Sequence, residues 1–230
     1  MKVNTFILDD INYINSKTTK TEVELHVINN PFSINIKNGG FEIGKMNFLV
    51  QGNYLSAEKD IVDLKIKGNQ IEILDIFSIL PKKYAKLSKQ YISKGILNFE
   101  GHLNGELNNN KRLNFSVNFN ALDAYLKDKL NDIELDKVNV QGVFNNQKQE
   151  LKIINFSSLI NEKTLNGFGS ISNFKDPIYF FSFNGKIDLN NNIFSNYLKD
   201  LSLEGQTEFT LESKIITKKG NLLFEKINGK

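Results

Sequence analysis

The fold class is decided by one stretch, Leu113-Asn114-Phe115-Ser116-Val117-Asn118-Phe119-Asn120, in which apolar and polar residues alternate without a fault. A two-residue period sends successive side chains to opposite faces of a β-strand, so this stretch predicts a strand with one apolar face. The same period recurs along the chain in Phe32-Ile34-Ile36, Leu64-Ile66, Leu97-Phe99, Ile133-Leu135, Val138-Val140, Leu151-Ile153, Ile187-Leu189, Phe209-Leu211 and Leu222-Phe224. The sequence therefore predicts a mostly β protein, with a long curled antiparallel sheet that forms an open hydrophobic groove.

Glycine and asparagine between these runs predict tight turns, because both residues tolerate positive φ angles. Four such turns are expected, at Lys37-Asn38-Gly39-Gly40, Gln51-Gly52-Asn53, Lys67-Gly68-Asn69 and Asn184-Gly185-Lys186. Gly167-Phe168-Gly169-Ser170 is interpreted as a turn or a bulge. Short connections between successive strands indicate a meander of antiparallel neighbours.

Two segments depart from the β period. Residues 73–91 have apolar side chains at helical spacing, and Pro81 divides them into two short helices. Residues 192–201 show a similar pattern in shorter form. We expect the first segment to plug the sheet through its apolar side chains Leu74, Phe77, Tyr84 and Leu87.

The two helical segments share their surroundings, which indicates a degenerate internal repeat. Lys67-Gly68-Asn69 and Asn184-Gly185-Lys186 precede them, and residues 94–99 and 204–209 follow them with similar patterns. The repeats span about 60–110 and 180–215. Repetition of one β unit is typical of a structure that grows by addition, so residues 1–230 are predicted to form a single elongated domain.

Composition excludes several classes of protein. Hydrophobic residues make up 40% of the chain and charged residues 24%, which is enough apolar surface for an ordered protein. The absence of cysteine excludes disulfide frameworks and thiolate metal sites. The 29 basic and 26 acidic residues are interleaved, so no positive stripe predicts nucleic-acid binding. The sequence has no apolar run of the length that predicts a membrane-spanning helix.

Catalytic signatures are also missing from the sequence. The only histidines are His26 and His102, and neither has a second histidine or a carboxylate at metal-ligand spacing. No phosphate-binding glycine loop and no Gly-x-Ser-x-Gly elbow occurs. We therefore expect no catalytic residue, no metal site and no cofactor. An enzyme of another kind would need His26 and His102 to converge on carboxylates.

The apolar strand faces are the strongest candidate for a functional site. In a closed sandwich they would pack against a second sheet and form an ordinary core. The predicted strands are numerous, however, and only two helical segments are available to cover them. Aliphatic residues and Phe without Trp suit acyl chains better than sugars or small polar ligands. The predicted groove lining is Leu97, Phe99, Leu113, Phe115, Val117, Phe119, Val138, Val140 and Phe183.

A basic helical face lies beside the predicted plug. Its residues are Lys82, Lys83, Lys86 and Lys89, with few acidic residues among them. Clustered lysines attract anionic lipid headgroups, so these four residues are candidate headgroup contacts.

Residues 63–106 resemble the AsmA-like proteins of Gram-negative bacteria, in the form found among Bacteroidota. The resemblance is carried by the strand that ends at Gly68, the Ile71-Glu72-Ile73 lead-in, the Ile79-Leu80-Pro81 break, and a strand from Lys94-Gly95 to Gly101. Residues 138–142, 174–177 and 185–189 look like further repeating units of the same family.

The resemblance implies a periplasmic β-groove, anchored to the inner membrane and related to TamB-like and other bridge-like lipid transfer proteins. Such a protein would bind phospholipid, work with an outer-membrane partner protein and serve outer-membrane biogenesis without catalysis. The family's amino-terminal membrane helix is not in this sequence, so the resemblance implies part of a longer chain. The alternative is a secreted or surface β-sandwich for adhesion or glycan binding, with two closed sheets and a ligand site on loops.

Overall fold

The structure, a computed structural model, describes residues 2–8, 11–77, 90–107, 113–188, 205–218 and 221–230. Within these residues the chain forms thirteen β-strands and one short helix. They are β1 (Lys2–Leu8), β2 (Ile11–Asn29), β3 (Phe32–Ile43), β4 (Met46–Ser56), β5 (Asp60–Glu72), α1 (Ile73–Phe77), β6 (Tyr91–Glu106), β7 (Asn114–Asp128), β8 (Ile133–Asn145), β9 (Glu150–Ile160), β10 (Lys163–Ser172), β11 (Ile178–Asp188), β12 (Gln206–Lys218) and β13 (Asn221–Gly229).

The described strands lie side by side in chain order in one sheet, with β1 and β13 at its edges, so the sheet is not closed into a barrel. The strand pairs for which the structure gives a register are all antiparallel. The prediction of a mostly β, antiparallel meander is confirmed. The described strands do not divide into the two sheets that the sandwich alternative requires.

Contacts divide the chain into two compact units. Unit 1 comprises residues 1–88, 96–119 and 144–147, and unit 2 comprises residues 89–95, 120–143 and 148–230. Most of the first predicted repeat belongs to unit 1, and the second belongs to unit 2.

The two predicted repeats share one strand pairing, although a register shift follows it between β5 and β6 and none occurs between β11 and β12. In each, a glycine of the first strand lies directly opposite a phenylalanine of the second, as the pairs Gly68–Phe99 and Gly185–Phe209. Four residues before each phenylalanine stands a glycine of positive φ, Gly95 at 116° and Gly205 at 106°. This pairing and the glycine four residues before the phenylalanine are the features that the two parts of the chain share.

The four predicted turns are wrong, because all four segments lie inside strands. They fall within β3, β4, β5 and β11. The chain reverses elsewhere, as at Asn161 and Glu162, which both have positive φ. The Gly167–Ser170 segment lies within β10, where the register against β9 shifts. Glycine inside a strand marks a bulge or a close approach from a neighbouring strand, and both occur in this sheet.

Register shifts keep apolar residues on one face where the two-residue period breaks. In β5 the period runs through Leu64 and Ile66 to Gly68, but the next apolar residue, Ile71, has the opposite parity. The register shifts by one residue between Gly68 and Ile71, and Gln70 adopts a φ of 53°. A bulge adds one residue to one strand and so reverses the parity beyond it. Ile71 thereby rejoins the apolar face, where its side chain is only 2% exposed.

At two strand residues with left-handed φ angles, the side chain of an asparagine on the neighbouring strand accepts a hydrogen bond from the backbone N–H. The N–H of Gln70 donates to Oδ1 of Asn98 at 2.8 Å. The N–H of Asp123, whose φ is 51°, donates to Oδ1 of Asn139 at 3.0 Å. A left-handed residue interrupts the ladder, so its N–H needs an acceptor from outside the backbone pairing. Some of the abundant asparagine therefore has a structural role.

The predicted helical segments are described only in part. Helix α1 is five residues long and begins at Ile73, where the first predicted segment begins. Residues 78–89 and 192–201 lie outside the described residues. In the part of the chain that the structure describes, no helix has the length and apolarity needed to cross a bilayer.

We expect Asn98→Ala to lower the free energy of unfolding by about 1 kcal/mol, because the Gln70 N–H loses its acceptor. Asn98→Asp keeps an acceptor oxygen and should lower the free energy of unfolding by less than half as much. Urea denaturation measures both, with Asn47→Ala, at an exposed position of β4, as the control. Equal losses for Asn98→Ala and Asn98→Asp would show that the hydrogen bond does not stabilise the bulge.

Candidate functional site

One face of the sheet in unit 1 is apolar from β2 to β7, and we call it the apolar face. Cross-strand pairing places its members in rows, and one row is Val27, Ile34, Tyr54 and Val62. The other members on β2 to β6 are Leu25, Ile36, Phe41, Phe48, Val50, Leu64, Ile66, Ile71, Leu97, Phe99 and Leu103. Neighbouring rings touch within the face, and the centroids of Phe48 and Phe99 are 6.0 Å apart.

The structure brings six of the predicted lining residues to this face. Leu97 and Phe99 lie opposite Ile71 and Gly68. A side chain added at Gly105 would meet Leu113, and one added at Gly101 would meet Phe115, so β7 turns these residues to the same side. Val117 and Phe119 follow Phe115 in the two-residue period of β7. All six predicted residues are half-buried: Leu97, Phe99, Leu113, Phe115, Val117 and Phe119.

The remaining three predicted lining residues belong to unit 2. Val138 is buried, and Val140 and Phe183 are half-buried. Phe183 lies in an aromatic column of β11, since its ring stacks on that of Phe181 at 6.1 Å, and Phe181 stacks on Tyr179 at 6.3 Å. Unit 2 therefore has an apolar sheet surface of its own around Phe183.

Phenylalanine rings lie over glycines of the neighbouring strand in both units. A Cβ atom at Gly68 would come within 2.3 Å of the Phe99 ring, and one at Gly167 within 2.4 Å of the Phe183 ring. Both glycines are directly opposite those phenylalanines in the sheet. Because a glycine has no side chain, the ring can cover its backbone and pack within a single layer. Each ring is thus held in part by the strand next to its own.

The apolar face of unit 1 is exposed along β2, while most of its members on the other strands are half-buried and Val62 and Ile71 are buried. Leu25 is 52% exposed and Val27 is 49% exposed, although both are large apolar residues in the sheet. A covering layer of protein would lower such values to those of a core. Among the described residues, the buried hydrophobic side chains are limited to Met46, Val62, Ile71, Ala121, Ala124, Val138 and Ile187.

The opposite face of unit 1 is mostly polar and charged, although Ile28, Leu49 and Ile61 are also exposed on it. Lys67 Nζ lies 2.7 Å from Glu100 Oε1, and this ammonium group lowers the pKa of the Glu100 carboxyl below its ordinary value. Lys37 and Glu24 form another ion pair at 3.5 Å. A concavity of about 870 Å³ lies on this face, bordered on β7 by Ser116 and Asn118. This concavity of unit 1 is therefore on the polar side.

The two histidines do not converge. His102 Nε2 lies 2.7 Å from Asp63 Oδ1 on the adjacent strand, a contact that the 39-residue separation in sequence conceals. His26 lies on β2, and three strands separate it from His102 on β6. At about 4.8 Å per strand the two histidines are roughly 19 Å apart. The convergence that the enzyme alternative requires is not present.

Several predicted contacts lie outside the described residues. These are the plug residues Tyr84 and Leu87 and the candidate headgroup contacts Lys82, Lys83, Lys86 and Lys89. The backbone of Phe77 is described, but its side chain is not. Leu74 is described on α1 and is 48% exposed, so it is not sealed against the sheet.

Searches against protein-family models, curated proteins and solved structures found no match for this chain. The resemblance of residues 63–106 to AsmA-like proteins therefore stays a prediction.

The fit of Phe99 over Gly68 predicts a compensating pair of substitutions. Gly68→Ala should destabilise the wild-type protein by about 1–3 kcal/mol, because the new methyl group displaces the ring. In a Phe99→Ala background the same change should be neutral or slightly stabilising, since alanine is preferred over glycine in a strand. Urea denaturation of the four proteins measures the coupling. Additive effects would contradict the packing of the ring on the glycine.

Proposed function

We propose that this chain is a non-enzymatic lipid-binding module that shields acyl chains on its apolar sheet face. The observation that supports it is the partial exposure of this face: most of its Phe, Ile, Leu and Val side chains are half-buried, those of β2 are exposed, and Val62 and Ile71 are buried. Leu25 at 52% and Val27 at 49% exposure are the clearest examples. Extended apolar surface of this kind on a soluble protein marks an interaction site.

The size of the face fits a lipid tail. Six neighbouring strands, β2 to β7, give a span of about 24 Å at roughly 4.8 Å per strand. The hydrocarbon of one leaflet is about 15 Å thick, half of a bilayer core of about 30 Å. An acyl chain laid across the strands would therefore contact apolar side chains along its whole length.

The hydrophobic effect supplies the driving force for this binding. Removal of one methylene from water contributes about 0.8 kcal/mol, so a sixteen-carbon tail free in water costs roughly 12 kcal/mol. A sheet face of Phe and aliphatic residues replaces the bilayer interior for the tail and leaves the headgroup in water. Movement along a uniform apolar face then changes the free energy little, which is the physical requirement for transfer between membranes.

Substrate and location follow from the predicted resemblance and belong to the same proposal. A bridge between inner and outer membranes would carry phospholipid and would lie in the periplasm, anchored to the inner membrane. An outer-membrane partner protein would receive the lipid.

Two neighbouring residues of β2 offer a matched test. Val27 belongs to the apolar face and is 49% exposed, whereas Ile28 points to the opposite face and is 47% exposed. Because their exposure is nearly equal, aspartate at either position should affect folding similarly. Aspartate at Val27 alone would place a charge against the bound tail, which is costly.

We expect Val27→Asp to weaken binding of fluorescent phosphatidylethanolamine by tenfold or more, and Ile28→Asp to change it less than twofold. Titration of the lipid probe measures affinity, and thermal melting verifies that both variants fold. Val117→Asp and Asn118→Asp repeat the comparison in β7. Equal loss of binding in both members of a pair, or no binding by the wild type, would refute the proposal.

A further inference from the structure

Unit 2 contains a concavity whose chemistry differs from that of unit 1. It has a volume of about 660 Å³. The described residues that line it include six side-chain amides but no Asp, Glu, Lys, Arg or His. The amides belong to Asn120, Asn139, Gln141, Asn155, Asn166 and Asn184.

The sheet register aligns part of this lining in a row. Asn166 of β10 lies directly opposite Asn184 of β11 on one side and Ser157 of β9 on the other. Asn184 in turn lies opposite Thr210 of β12. Four neighbouring strands therefore present uncharged hydrogen-bonding groups at intervals of about 4.8 Å. The row is on the opposite face from the Phe183 ring, because Asn184 is the next residue in the strand.

Two amides of the row are available to a ligand. Asn139 already accepts from the Asp123 N–H and donates to the Lys137 carbonyl at 3.0 Å. By contrast, no side-chain hydrogen bond joins Asn166 or Asn184 to another residue in the described ranges. An unpaired amide offers two N–H donors and one carbonyl acceptor.

Charge is present on the same face but outside the concavity. Lys186, two residues beyond Asn184, pairs with Glu208 at 2.6 Å. The contact raises the pKa of Lys186 and lowers the pKa of Glu208. Since charged residues are tolerated on this surface, their exclusion from the concavity is a local feature rather than a property of the strands.

Apolar residues make up much of the remaining lining, namely Leu122, Val140, Ile154, Phe156 and Phe168. Phe168 of β10 borders the concavity and is 47% exposed, and the centroid of the Phe180 ring lies 5.9 Å from its own. An exposed ring beside amide groups combines an apolar surface with directed hydrogen bonds. The C–H face and the hydroxyl groups of a sugar match these two features.

We propose that the concavity of unit 2, lined by amides and apolar side chains, binds a neutral oligosaccharide. Each sugar hydroxyl is both donor and acceptor and so matches the amides of Asn166 and Asn184. An ionic ligand would be partly desolvated without a counter-charge, which disfavours acidic and basic molecules. The site lies on the opposite sheet face from the Phe183 surface. A failure of the lipid proposal would therefore not contradict sugar binding, and a failure of sugar binding would not contradict the lipid proposal.

The test is calorimetric titration of the whole chain with maltohexaose, cellohexaose, xylohexaose and chitohexaose, and with oligogalacturonate as the charged comparison. We expect one or more of the neutral sugars to bind and oligogalacturonate not to bind. The double variant Asn166→Ala/Asn184→Ala should weaken that binding by about tenfold or more. Phe168→Ala should also weaken it, since the sugar loses its apolar contact.

The matched control is Asn35→Ala/Asn53→Ala, which removes a directly opposed asparagine pair on the polar face of unit 1. This control should leave sugar affinity within twofold of wild type. The proposal is overturned if none of the neutral sugars binds, if oligogalacturonate binds more tightly than they do, or if the control weakens binding as much as the double variant.

Discussion

The register of the antiparallel ladder is the constraint on which the remaining structure depends. A slip of one residue would exchange the two faces of every strand beyond it. The chain meets this constraint with bulges placed where its apolar period changes phase, as at Gln70, and an asparagine on the next strand completes the hydrogen bonding there. Apolar and charged side chains are thus sorted to opposite sides of one sheet in unit 1.

Packing within a single layer follows from this sorting. Rings such as Phe99 and Phe183 cover glycines of the adjacent strand, so part of their surface is buried without a second sheet. Ion pairs such as Lys67–Glu100 occupy the opposite face, where they remain in water and contribute little to stability. The outcome in unit 1 is an ordered sheet whose apolar side stays partly accessible, most of all along β2, which is the basis of the lipid-binding proposal.

The sequence was sufficient for the features that depend on local period. Residues 113–120 predicted a one-sided strand, and six predicted lining residues share one face. Features that depend on a partner strand were missed: Gly68 was interpreted as a turn because the ring of Phe99 above it is 31 residues away in sequence. Leu25 and Val27 were overlooked as members of the apolar face. The contact between His102 and Asp63 likewise exists only through strand pairing.

The most direct test of the central claim measures whether the apolar face is open to solvent. The chain has no cysteine, so single cysteines at Val117 and at Asn118, on opposite faces of β7, can be labelled with a water-soluble maleimide. An open face predicts that Val117→Cys reacts within roughly tenfold of the rate of Asn118→Cys. Protection of Val117→Cys by roughly a thousandfold or more, the level expected when reaction requires unfolding, would show that a second layer seals the face and would contradict this account.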